Sequence, residues 1–147
     1  MKKRVLAFFV IMLLIASLCT GVSASGSDII EPETRSGPFT FYLNGQIYTV
    51  PPSLIVGWAY YNNGYYVEVL QMALNSTDYN HATGTRPNCY VGNVDGIFGN
   101  NTETAVINFQ DWINTIEGFD YGTERYLDTD GIVGSQTWGW LVTYYGG

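Results

Sequence analysis

The stretch VDGIFGNNTETAVINFQ, Val94 to Gln110, decides how this chain folds. It joins a glycine-punctuated turn, Asp95-Gly96-Ile97-Phe98-Gly99, to a strongly patterned segment. Gly96 and Gly99 can take positive φ at little steric cost, so the chain can bend twice while tucking Ile97 and Phe98 inward. Asn100 is placed to accept from the first amides of a helix and Glu103 to reach back, a capping box with Asn in the Ser/Thr place. Ala105, Val106, Phe109, Trp112 and Ile113 then recur at helical spacing, which predicts a helix over 101–114 with one apolar face. The turn returns later in the chain. Asp130-Gly131-Ile132-Val133-Gly134-Ser135-Gln136-Thr137 repeats Asp95 to Thr102 position for position at Asp, Gly, Ile, Gly and Thr.

Working outward, Val67, Leu70 and Leu74 mark an earlier helix beginning near Tyr65 or Tyr66, and Trp138, Leu141, Val142 and Tyr145 mark a third over 136–145. Trp140 and Tyr144 fall on the other face of that third helix, one turn apart. The three-helix core offers this second stripe no partner. Toward the N-terminus, Phe39 to Leu43 and Gln46 to Val50 flank Asn44-Gly45, the dipeptide best suited to a two-residue hairpin turn. A lone hairpin is marginal in water, so it is expected to cover something, and the Trp140/Tyr144 stripe is the available surface. Pro51-Pro52 ends the regular structure. Two long links, 76–93 and 115–129, separate the helices, and loops of that length are usually functional or mobile.

The chain opens with MKKRVLAFFVIMLLIASL, a basic cluster followed by an apolar run, and Val22-Ser23-Ala24 supplies small residues for cleavage. Residues 1–24 therefore read as a secretory signal peptide, leaving no stable membrane anchor. Residues 25–36 are polar and acidic without periodicity, a flexible tail. The hairpin extension occupies 37–58 and the helical domain 59–147. Of six Lys and Arg, three (Lys2, Lys3, Arg4) leave with the signal, so the mature chain sets 3 basic against 13 acidic residues, a net charge of 3 − 13 = −10. Such a chain is repelled by phosphate backbones, which excludes nucleic acid as a partner. Anionic wall polymers are repelled too. Any wall binding must then come from hydrogen bonds and stacking. With Cys19 removed, Cys89 stands alone and reads as a small buried hydrophobe, an intermolecular bridge being the alternative. Aromatic residues, 16% of the chain, must supply much of the core.

Few residues offer catalytic chemistry. The single histidine, His81, and Cys89 cannot assemble the three protein ligands of a hydrolytic zinc site, and no metal or cofactor is expected. A Cys89/His81 nucleophile pair lacks a third orienting residue. A glycosidase needs two facing carboxyl groups, and no spacing among the acids singles out a pair. Asp95 and Asp130 suggest calcium loops. However, a twelve-residue loop would end on Val91 and Thr102 or on Tyr126 and Thr137, where acids are required, so both read as turn carboxylates accepting local amides. Saccharide binding calls for exposed aromatic faces and amides. Its candidates are Trp140 and Tyr144, Asn108 and Gln110, Tyr65 with Tyr66, and Tyr60-Tyr61. Gln110 has an alternative role in satisfying backbone groups of a neighbouring turn.

The doubled signature, with Val67-Glu68-Val69-Leu70-Gln71-Met72-Ala73-Leu74 before it, resembles the small three-helix peptidoglycan-binding domain of bacterial cell-wall enzymes and secreted wall proteins. The resemblance covers Gly64 to Val142. It implies a mainly α, three-helix domain, here with an N-terminal β-hairpin extension. It also implies noncatalytic binding to peptidoglycan, at the muropeptide or the glycan strand, by a secreted bacterial protein located at the wall. A wall hydrolase or another wall protein is a further partner it suggests. Two other classes stay open: a protein-interaction or wall-structural module that kept the fold, and a small wall hydrolase.

Overall fold

The computed structural model describes residues 37–77, 87–118, 120–122 and 124–145. The signal peptide and tail expected over 1–36, and residues 78–86 of the first long link with His81, lie outside the described residues.

A hairpin leads into three helices: β1 (Phe39–Leu43), β2 (Gln46–Val50), α1 (Tyr65–Asn75), α2 (Asn100–Glu117) and α3 (Ser135–Tyr145). The strands pair antiparallel from Phe39 opposite Val50 to Leu43 opposite Gln46. Asn44 and Gly45 take φ of 51° and 79°, the positive pair that a two-residue hairpin needs. Strand alternation sends Phe39, Phe41 and Leu43 inward and Thr40 and Tyr42 outward. Those three residues and Val50 belong to the same apolar cluster as the helices. β1 packs on α3 and α1. The contact is led by Phe41, whose ring meets that of Trp138 at 5.7 Å and 68°. Helix α1 buries Val69 and Ala73 in addition to Val67, Leu70 and Leu74.

Helix α2 buries the expected face, Ala105, Val106, Phe109, Trp112 and Ile113, but differs from expectation at both ends. Its N-cap is Gly99, with no side-chain cap, and Asn100 is already helical. The Gly99 carbonyl accepts from the Glu103 N–H at 3.0 Å, so the anticipated capping box does not form. The helix then runs to Glu117, three residues past the expected end, and stops where Gly118 adopts φ 66°. Only a residue at ease in the left-handed region ends a helix this way. Ile97 is a second correction. Phe98 is buried, but Ile97 points to solvent, because neighbours on extended backbone face opposite sides and the Phe98 N–H is drawn to the Asn62 carbonyl at 2.8 Å.

Between hairpin and α1 the chain is irregular yet fixed. Val56 exchanges two backbone hydrogen bonds with Val133 at 3.1 and 2.9 Å. Asn63 bridges to Ile97, and the Gly64 N–H donates to the Gly96 carbonyl at 2.7 Å. Each Asp-Gly turn is thus zipped to the segment that precedes α1. Among the described residues no helix is long and apolar enough to cross a membrane.

Candidate functional site

Two buried glutamines organise the molecule. On α1, Gln71 accepts at Oε1 from the N–H groups of Asp95 (3.0 Å) and Gly96 (2.9 Å). Its Nε2 lies within bonding distance of Asp95 Oδ1 (2.8 Å), the Ile97 carbonyl (3.1 Å) and Thr102 Oγ1 (3.1 Å). Two amide hydrogens serve three acceptors, so at least one bond is shared. On α2, Gln110 does the same for the second turn. Oε1 accepts from the Gly131 N–H (3.1 Å), and Nε2 faces Asp130 Oδ1 (3.4 Å), the Ile132 carbonyl (2.9 Å) and Thr137 Oγ1 (3.3 Å). Each Asp closes its own turn by accepting from the N–H two residues on, at 2.9 Å for Ile97 and 2.8 Å for Ile132. The Gln71 side chain, and then the Ile97 N–H, hold the Asp95 carboxyl below its ordinary value.

Four residues beyond each glutamine an asparagine repeats the device. Asn75 accepts from the Val91 N–H at 2.8 Å and donates to the Gly92 carbonyl at 2.9 Å. Asn114 accepts from the Leu127 N–H at 2.9 Å and donates to the Leu127 carbonyl at 2.8 Å. The recurrence Gln-x-x-x-Asn at 71–75 and 110–114 was the sequence signal for this pair. Gly96 and Gly131, at φ 69° and 74°, complete the two clasps. A Cβ there would lie 3.0 Å from Glu68 Cγ and 3.0 Å from Glu103 Cγ respectively. Glu103, expected in a cap, instead lays its stem over the second turn.

Beside the first clasp the surface is aromatic. Tyr48 of β2 meets Tyr65 at 6.1 Å, Tyr65 meets Tyr66 at 5.0 Å, and Tyr66 meets Tyr61 at 5.3 Å. Trp58 stands nearly perpendicular, at 85°, to the buried Phe98 ring 6.0 Å away. Its carbonyl accepts from Asn62 Nδ2 at 3.2 Å, and Asn62 Oδ1 accepts from Asn63 Nδ2 at 3.0 Å. The rings are held up by the Val56–Val133 bridge and by bonds from the N–H groups of Tyr60 and Tyr61 to the Gly57 and Ile55 carbonyls, at 3.0 and 3.2 Å. Trp58 is 53%, Tyr60 49% and Tyr65 47% exposed.

Residues 63–113, which take in α1, the first clasp and most of α2, match the family model described as "Putative peptidoglycan binding domain". Over those residues the chain is similar to that peptidoglycan-binding family. Its second Asp-Gly clasp and α3 continue the same construction beyond the matched residues. No solved structure matches the chain.

Within the folded domain the five anticipated contact residues are dispersed in role. Trp140 is 1% exposed and stacks on Tyr144 at 5.9 Å and 28°. Trp140 is therefore a core residue and no surface contact. Tyr144 is half-buried, packs edge-on to Trp112 at 5.0 Å, and donates its hydroxyl to the Glu117 carboxylate. Burial, and then Glu117, push its phenol well above the ordinary value. The extra turn at the end of α2, which the sequence reading omitted, brings Glu117 there. Gln110 takes its alternative role inside the second clasp, and Asn108 donates to the Asn88 carbonyl at 2.7 Å as a strap on the first link. Tyr65 alone stands on the exposed aromatic surface. An open cleft of about 340 Å³ also lies by the second clasp, between Leu127, Asp128 and the first turn of α3.

Proposed function

We propose that the chain is a secreted protein that binds peptidoglycan through this domain and does not cut it. The family match over 63–113 carries the reading, and the continuation of its construction through a second clasp supports it. The groups nearest to hydrolytic chemistry are otherwise engaged. Both turn aspartates accept backbone N–H groups, and Cys89 is buried with its Sγ 3.5 Å from the Leu74 carbonyl and from Thr77 Oγ1. A buried thiol is a packing group, since reactivity needs an accessible thiolate.

The test is co-sedimentation of the purified protein with insoluble peptidoglycan stripped of wall polymers, with chitin and cellulose as controls. Pelleting with peptidoglycan and no release of soluble muropeptides is the expected result. Released muropeptides would make the protein a hydrolase. A second reading, a protein-interaction module, draws on the outer face of the hairpin, where Tyr42 pairs with Ile47 and both side chains face solvent. Failure of a folded sample to pellet at low and moderate salt would favour it.

A further inference from the structure

Residues 37–67 contain no Asp, Glu, Lys, Arg or His, in a chain that carries 13 acidic residues in all. This uncharged stretch forms the hairpin and an aromatic ledge, the ring chain Tyr48–Tyr65–Tyr66–Tyr61 with the exposed Trp58 and Tyr60 of the adjoining segment. A ledge without charges of its own offers no cation to the carboxylates of a peptide, and only Glu68 at its margin could meet an ammonium group. It has the means of binding a neutral ring. A pyranose chair with equatorial substituents shows apolar C–H groups on its faces and hydroxyl or acetamido groups at its rim. Half-exposed Tyr and Trp rings supply flat apolar area at low entropic cost, and their hydroxyl or N–H groups, with the neighbouring Asn62 and Asn63 amides, suit the polar rim.

We infer that this ledge is the saccharide-binding surface of the domain and that it takes the uncharged faces of β-linked N-acetylated sugars, the glycan strand, in preference to the peptide stem. The inference rests on the wall-binding reading and names the site and ligand class within it. The ledge is also prepared in advance. Edge-on contacts at 70–72° between Tyr61, Tyr66 and Tyr65 fix the rings against one another, so little ordering is left for binding to impose.

Trp58 makes the test direct, since Trp112, Trp138 and Trp140 are all buried. Chitohexaose, the uncharged sugar probe, is titrated into the purified protein alongside a free stem pentapeptide, while acrylamide quenching of tryptophan emission is followed. Protection of the quenchable emission by chitohexaose and not by the peptide is expected. Trp58→Ala should abolish that signal, and Trp58→Ala with Tyr60→Ala and Tyr65→Ala should weaken pelleting with peptidoglycan at least about tenfold, as loss of central aromatic contacts does. Tyr65→Phe, which keeps the ring, should retain pelleting and shows whether the loss is one of stacking. If the wild type pellets and the triple variant, folded by circular dichroism, pellets equally well, the ledge is not the site and the wall-binding reading stands. Protection by the peptide alone also overturns the inference. If the wild type neither pellets nor responds to chitohexaose, both readings fall.

Discussion

At Gly96 the backbone sits at φ 69°, and a methyl group added there would lie 3.0 Å from Glu68 Cγ. Gly96→Ala therefore meets both a disfavoured dihedral and a neighbour, and we expect a loss of about 1–3 kcal/mol in urea denaturation. Gly99, three residues on, is the comparison: its φ is −103° and nothing lies within 4 Å of its missing Cβ, so Gly99→Ala should cost only the poorer N-cap preference of Ala, about 0.5–1 kcal/mol. Asp95 shows the same clasp through its acidity. Its carboxyl lies below the ordinary value of 3.8 in the fold because Gln71, and then the Ile97 N–H, bond the ionised form. Above about pH 5 the group is ionised in both states and its stabilising contribution is fully present. As pH falls through the lowered folded value the contribution is lost, since the unfolded chain takes up the proton first. Asp95→Asn should accordingly flatten the acid limb of a stability–pH profile and leave its neutral region parallel to the wild type. An unchanged acid limb would remove Asp95 as its source.

Among the elements, the hairpin is the one whose role changed most between sequence and structure. Its strands and turn could be read to the residue, because alternation and Asn44-Gly45 are local signals; docking was expected on the Trp140/Tyr144 stripe of α3, and the ring contact found is with Trp138 of that helix. The partner of Phe41 could not be read, because Trp138 was already assigned to the helical face and only packing decides which ring meets which. Phe41→Ala should cost about 3–5 kcal/mol in chemical denaturation, as truncation of a fully buried ring does. Ile47→Ala, on the outer face, should change little. A small effect of Phe41→Ala would mean that the hairpin is an appendage. The helices followed a similar division. Apolar spacing placed all three cores, whereas the ends of α2 depended on Gly99 and Gly118 dihedrals that composition does not disclose. The glutamine clasps were half legible. Gln110 carried its turn-satisfying role as one of two alternatives, while Gln71 looked like one more helix residue, because its five polar partners lie 24 to 31 positions away. The ledge residues Tyr60, Tyr61, Tyr65 and Tyr66 were visible as sugar-contact candidates. Trp58 was missed for want of periodicity in 53–64, where isolated backbone bridges do the work of regular structure.

At the scale of the whole molecule, charge is unevenly spread along the chain: residues 37–67 carry none at all, while the net charge of −7 resides elsewhere. Binding through an uncharged face should be insensitive to ionic strength, so the pelleted fraction with peptidoglycan is expected to hold steady from low to moderate salt. A steep fall would trace the attraction to ion pairs instead. One buried group adds a dimension of time. Cys89 is 2% exposed, and its thiol sits 3.5 Å from the Leu74 carbonyl at the close of α1. An alkylating reagent can reach it only while that corner is open. The rate of covalent labelling at Cys89, set against global unfolding measured in denaturant, is thus a built-in clock for local opening. We expect labelling in native buffer slower by orders of magnitude than in denaturant, and slower still if ligand binding at the ledge stiffens α1 from its other end.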